Sequence, residues 1–198
     1  MDRVQTLINT GYFRSIHGWC TPEKALKIAQ VISDNNCKVC VELGVFGGKS
    51  LLPIALAAGS DSTIIGVDAW SSTASLEGTN DKANDAWWAK IDYNDMYRYT
   101  NKLMKSNNVT VTLLRSRSNE VNNTFEDESI DFLHQDSNHS LEISCEEVEL
   151  YFNKVKHGGF WAFDDTNWKT TKQAQANLLT KGYIEVEDFG EWKLYQRI

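Results

Sequence analysis

A short β-rich run, residues 38–43 (KVCVEL), leads straight into a turn with three glycines, Gly44, Gly47 and Gly48. An apolar stretch, residues 51–58, follows and stops at Gly59. A strand, a glycine turn and a helix in that order make the start of a parallel α/β unit, because a strand that feeds a helix must cross over before it pairs again. The rest of the chain repeats the alternation. Residues 63–67 (TIIGV), 109–114 (VTVTLL), 130–134 and 160–163 read as further strands. A helix reads from Thr21, its cap, with Pro22 in its first turn, up to Asn35-Asn36. Helices are also expected over about 88–106 and 169–180. Leu141, Cys145, Val148, Phe152 and Val155 step by four and three along one helix face, and His157 reads as that helix's C-terminal residue. The tail from Tyr183 to Arg197 reads as two strands meeting around Gly190. The expected fold is one Rossmann-like α/β domain over residues 1–198, with a mostly parallel sheet and a C-terminal antiparallel hairpin. Residues 1–20 form an N-terminal segment without periodicity. Residues 70–100 hold an insertion, polar and loop-like over 70–87, that serves as lid or substrate region.

Composition narrows the class. The 198 residues carry a formal net charge of −7, against a large nucleic-acid footprint. No apolar run approaches the roughly 18 residues that a membrane span needs, and the first twenty residues lack a secretory apolar core. A cytoplasmic protein is expected. Of four cysteines, Cys37 and Cys40 have C-x-x-C spacing but no second pair to complete a zinc site, so Cys20, Cys37, Cys40 and Cys145 read as buried small hydrophobes.

The glycine turn has three ligand readings and one without a ligand. A phosphate loop would need a glycine where Leu43 stands, and a dinucleotide fingerprint would need one at Phe46. An S-adenosylmethionine (SAM) turn wants an acid near the strand end, a glycine two residues on and another before the helix. Glu42, Gly44 and Gly48 supply these, with Val45 and Phe46 between them and Ser50 at the helix start. Asp68, ending the second strand, is placed to accept the ribose hydroxyls. Ala69 and Trp70 follow it, and Arg117 and Ser118 come after the third strand, where adenine would lie. The fourth strand ends at Asp136 and the fifth at Asp164-Asp165. Parallel strands bring these ends together, and three carboxylates with waters suit a hard cation such as Mg²⁺. His139, three residues past Asp136, is the candidate base. His134, within its strand, reads as a packed histidine.

The turn ELGVFGGKS resembles that of metal-dependent O-methyltransferases of the catechol O-methyltransferase type. The stretch DFLHQDSNHS…GGFWAFDDTNW is similar to antibiotic-sugar O-methyltransferases of the macrocin type. The resemblance runs from about His17 to the C-terminus. It implies that Glu42, Gly44 and Ser50 contact the methionine and ribose parts of SAM, and that Asp68 holds the ribose. It further implies that Asp136, Asp164 and Asp165 bind the metal, with Asp136 also beside the cofactor, and that His139 is the base. Ser137 and Ser116-Arg117 depart from the glycine and the glycine-acid pair usual at those places. The expected reaction is O-methylation of a small-molecule hydroxyl, on a sugar or other vicinal diol held by the ion. Trp19, Trp70, Trp87, Trp88 and Tyr93 are candidates for the acceptor wall. Nucleic acid and membrane are not expected partners, while a homo-oligomer is compatible with the chain. Two other readings are a SAM-fold binding protein without turnover and a nucleotide hydrolase using Gly48-Lys49-Ser50.

Overall fold

A computed structural model describes residues 1–79 and 82–198. In chain order the elements are α1 (Asp2–Asn9), α2 (Tyr12–Ser15), α3 (Pro22–Asp34), β1 (Val39–Leu43), α4 (Leu51–Ala58), β2 (Thr63–Asp68), α5 (Ser72–Ser75), α6 (Lys82–Trp88) and α7 (Tyr93–Ser106). They continue with β3 (Thr112–Arg115), α8 (Ser118–Val121), β4 (Ile130–Gln135), α9 (Leu141–Tyr151), β5 (Val155–Phe163), α10 (Lys172–Thr180), β6 (Tyr183–Asp188) and β7 (Lys193–Arg197).

The strands form one sheet in the order β3-β2-β1-β4-β5-β7-β6. β1 to β5 run parallel, while β7 is antiparallel to β5 and β6 to β7. The central strands are apolar on both faces, as a doubly covered sheet requires: Cys40, Val41 and Leu43 of β1 and Phe132 and Leu133 of β4 are all buried. One face packs on α1 to α4 through Val4, Phe13, Ile28 and Leu52. The other packs on α9 and α10 through Val148, Tyr151 and Leu178. The order reverses between β1 and β4, so the carboxyl ends of those strands open the crevice where such sheets bind ligands.

Four sequence expectations are corrected. Residues 1–20 are not featureless: α1 and α2 form, and Val4, Leu7, Phe13 and Ile16 are buried. Val4 and Leu7 of α1, Phe13 of α2 and Ile16 just after it are too few for a periodic signal. The expected helix over 88–106 is split, because Asp92 accepts from the Asp95 amide (2.9 Å) and starts α7 afresh after α6. The loop expected over 70–87 accordingly holds α5 and most of α6. The α9 stripe stops at Tyr151. Lys154 N donates to Tyr151 O (2.9 Å) in a tight turn, and Val155 already pairs with Ile130. His157 therefore lies in β5, not at a helix end. The hairpin turns at Gly190, whose φ of 86° favours glycine. All four cysteines are free, and Cys20, Cys37 and Cys40 are buried. Among the described residues no helix is long and apolar enough to cross a membrane.

Candidate active site

The glycine turn after β1 is held from beneath by β2. Asp68 Oδ2 accepts from the amides of Val45 (3.0 Å) and Phe46 (2.8 Å), and its Oδ1 accepts from Trp70 N (2.6 Å). Phe46 takes a left-handed φ of 47°, and its carbonyl accepts from Trp70 Nε1 (2.9 Å) and Thr100 Oγ1 (2.8 Å). Gly44 (φ 85°) is required for a separate reason. A Cβ there would fall 2.0 Å from the carbonyl oxygen of Asp136, so the loop after β4 crosses directly over it.

A cavity of about 960 Å³ lies along the carboxyl ends of the strands. It is within the range of small-molecule and cofactor sites. Every residue expected to touch the cofactor lines it, except Glu42 and Gly48. Glu42 is wholly buried beneath, where its Oε1 meets His134 Nδ1 at 2.7 Å. Burial pushes the Glu42 carboxyl well up and the His134 imidazole down to about 3, so His134 is neutral and packed, as expected. Gly48 faces α7, where a Cβ would meet Met104 at 2.7 Å. Asp68 lines the cavity, but three of the roughly four acceptor positions of its carboxylate serve backbone amides. Trp70 is buried and holds the turn rather than an acceptor.

The insertion closes one end. Asn138 Nδ2 donates to the carbonyls of Ala74 (3.1 Å) and Glu77 (2.9 Å), and Arg117 pairs with Glu77 at 3.3 Å. Trp19 stacks on Phe46, their ring centres 5.4 Å apart, and both meet Trp87 and Trp88. These rings form one cluster at the mouth of the cavity. Tyr93 instead hydrogen-bonds Ser75 and the Trp88 carbonyl.

At the other end the strands deliver the carboxylates. Asp136 N donates to Leu43 O (2.8 Å) and Asp164 N to Gln135 O (3.0 Å), which extends the ladders by one step and sets the two acids side by side. Asp165 has a left-handed φ of 48°, held by Trp168 N and Thr171 Oγ1 on its carbonyl (2.9 and 2.8 Å), so the next acid is turned elsewhere. Its Oδ2 meets His139 Nε2 at 2.9 Å, and that nitrogen is 3.6 Å from Asp136 Oδ1. Lys24 of α3 enters the group from across the cavity. Its ammonium contacts Asp164 and lies 4.0 Å from Asp136 Oδ2.

The charges follow from these contacts. Burial raises the Asp136 carboxyl, and the neighbouring Asp164 charge pushes it further, to about 7. Burial would also raise Asp164, but the Lys24 ammonium outweighs it and holds the group at about 2. Burial would lower His139, yet its hydrogen bonds to Asp136 and Asp165 push it up to about 10. The resting site therefore carries an imidazolium.

The three acids expected to share one metal ion each face a tethered cation instead. Among the described residues, the donor atoms that converge within 4.8 Å belong to Glu42, His134 and Asp136; Glu42 Oε1 and His134 Nδ1 meet each other below the cavity floor, while Glu42 Oε2 and His134 Nε2 are buried without a hydrogen-bond partner. In this arrangement Asp136, Asp164 and Asp165 do not form the oxygen cage that Mg²⁺ needs.

Sequence reasoning missed four residues of the site. Lys24 reads as an ordinary polar helix residue. Glu147 of α9 lines the cavity buried, with its Oε2 accepting from Gln135 Nε2 (2.9 Å) and Ser137 Oγ (2.6 Å). Phe189 and Trp192 stack at 4.1 Å in the β6–β7 turn and wall the acid end.

A family model described as a methyltransferase domain matches residues 41–166. The chain belongs to this family and is a SAM-dependent methyltransferase. No curated protein sequence matches it. Among solved structures, the O-methyltransferase TomG from Streptomyces achromogenes, involved in tomaymycin synthesis and in complex with SAM, superposes with a TM-score of 0.65 at 11% identity, covering 90% of this chain and 81% of its own. An O-methyltransferase from Bacillus cereus in complex with SAH gives 0.62 at 9% identity, covering 98% and 89%. A caffeoyl-CoA O-methyltransferase, so described provisionally, from Staphylococcus aureus gives 0.62 at 13%, covering 98% and 92%. At these identities the likeness is one of fold.

Proposed function

We propose that this methyltransferase transfers the methyl group of SAM to a hydroxyl oxygen of a small ring-bearing molecule, the class that includes sugars and phenols. The observation that carries the reading is one cavity joining the Asp68-held glycine turn to the His139 cluster. SAM would lie along the turn, its adenine towards Ser116–Asn119 and its sulfonium towards Asp136. The acceptor would enter at the acid end, between Trp168 and Trp192. As the hydroxyl oxygen attacks the methyl carbon, the C–O bond forms and the C–S bond breaks. The C–S electron pair stays on sulfur, leaving SAH. The hydroxyl proton passes to His139 once that imidazole is neutral. Holding donor and acceptor in line is the protein's main contribution.

The sequence suggested a divalent cation that would lower the hydroxyl's pKa. The carboxylates, already paired with Lys24 and His139, do not favour that step. The nucleotide-hydrolase reading is disfavoured as well, because Lys49 Nζ lies 5.3 Å over the Phe13 ring rather than being poised for a phosphate.

Thermal unfolding with SAH, beside ATP and NAD, tests the cofactor. A ligand at about a hundred times its dissociation constant adds roughly 2.7 kcal/mol. In a chain of this size that raises the midpoint by about 5–10 °C. SAH alone should produce the shift. A shift with ATP alone would replace this reading with a nucleotide site.

Trp19, Trp87 and Trp88 offer a second readout. Their rings sit on Phe46 of the turn, so SAH should change intrinsic fluorescence in the wild type. Replacing Trp87 and Trp88 together by phenylalanine should remove most of that change. Unaltered quenching in the double variant would place the cofactor away from this cluster.

A further inference from the structure

We propose that the Lys24 ammonium fills the cation position of the acid cluster, so that the transferase works without a divalent metal and meets its acceptor's oxygen with this lysine.

Lys24 is placed rather than free to wander. It lies in the first turn of α3, where Thr21 Oγ1 accepts from its amide (3.1 Å). The residue is only 6% exposed, and its ammonium passes 5.9 Å from the centre of the Trp192 ring. A buried lysine is costly unless paired. This one is paired with the two acids that stand side by side at the ends of β4 and β5. Two carboxylates placed side by side need a positive charge or a proton between them, and the Lys24 ammonium lies within 4.0 Å of both. The third acid, Asp165, is taken by His139. Each carboxylate of the expected metal triad thus has a tethered partner, and a metal ion would have to expel an ammonium from a low-dielectric site.

An ammonium has three donors. Lys24 spends one on Asp164 and also lines the cavity. A donor left facing the cavity is suited to an acceptor's hydroxyl oxygen, where a fixed positive charge favours the developing oxyanion. Only this last role rests on the methyl-transfer reading.

The test uses Mn²⁺ itself as the probe, with free Mn²⁺ followed by electron paramagnetic resonance after the protein has been stripped with a chelator. Wild type should leave Mn²⁺ free into the millimolar range. Lys24→Gln, which vacates the position and releases two acids, should gain one Mn²⁺ site at least about tenfold tighter than anything in wild type. Lys24→Arg, which keeps a charge there, should exclude Mn²⁺ as wild type does. Stoichiometric uptake by wild type below about a tenth of a millimolar, roughly −5.5 kcal/mol of binding, overturns the proposal. So does a folded Lys24→Gln variant that gains nothing. The wild-type and Lys24→Arg arms decide if Lys24→Gln does not fold. The SAH-induced thermal shift, read on each protein, reports the cofactor site separately. Its absence from wild type would refute methyl transfer while leaving the Mn²⁺ result to judge Lys24.

Discussion

Asp68→Ala is expected to abolish measurable SAH binding and to lower the unfolding midpoint by about 6–12 °C. The reasoning starts from three amides. Val45, Phe46 and Trp70 all donate to this one carboxylate. Alanine leaves them without an acceptor in a part of the fold that water reaches poorly. Hydrogen bonds to a charged group contribute about 1.5–3 kcal/mol each, and partial relaxation of the turn reduces the sum to roughly 3 kcal/mol. For about 200 residues that corresponds to the stated fall in midpoint. The binding loss has the same origin. Phe46 is held at a positive φ, a conformation that persists only when its surroundings impose it. Without Asp68 the turn is free to relax, and the cofactor must then order it. Asp68→Asn separates the two effects, since its amide oxygen still accepts from one or two of the amides. It should recover part of the midpoint but little of the affinity. Calorimetric titration with SAH, beside thermal unfolding, checks both. Wild-type affinity in a destabilised Asp68→Ala protein would mean that the carboxylate supports the fold and has no bearing on the cofactor site.

The alternation of strands and helices, the order of the motifs and the C-terminal hairpin were legible because each rests on local pattern. β4 and β5 are short apolar runs that end in acids, and any parallel sheet brings such ends to one edge. The sequence therefore placed Asp136, Asp164, Asp165 and His139 together, as found. What it could not supply was the partner of each acid. Lys24 is 112 residues from Asp136 along the chain and sits among Glu23 and Lys27, in a pattern that resembles a solvated helix face. Only the docking of α3 against β4 and β5 turns it inward. Asp165 illustrates a second limit. Adjacent acids look equivalent in a sequence, but a left-handed backbone at Asp165 sends its side chain to His139 while Asp164 faces Lys24. Glu42 shows a third. Its spacing from Gly44 fits a cofactor contact, yet register pairs it with His134 on the neighbouring strand, and two polar side chains inside a sheet satisfy each other first. Likewise, Gly44 is needed for the crossing of the Asp136 loop, a close approach between parts of the chain itself.

His139→Gln should lower kcat by about a hundred- to ten-thousandfold on any hydroxyl acceptor that turns over, the usual contribution of a positioned base. SAH binding should stay within about twofold of wild type, because the imidazole lies at the acid end of the cavity. The stronger test is the pH profile. Hydrogen bonds that His139 donates to Asp136 and Asp165 hold its pKa at about 10, so the imidazole is protonated at neutral pH and unable to accept the acceptor's proton. Turnover should therefore rise with pH through the alkaline range and level off as His139 becomes neutral. Asp165→Asn removes one of the two charges that stabilise the imidazolium, so His139 should lose its proton at lower pH and the rising limb should move down with it. The free protein offers a direct check. The chain has four histidines, and the imidazole resonance missing from His139→Gln identifies the one that matters. In wild type that resonance should titrate well above the ordinary histidine range of about 6.5. In Asp165→Asn its midpoint should shift in the same direction as the rate profile. If the resonance titrates near 6.5 while turnover still rises in the alkaline range, the proton is accepted by another group. The Asp136 carboxyl, held near 7 and 3.6 Å from His139, would then be the next group to replace.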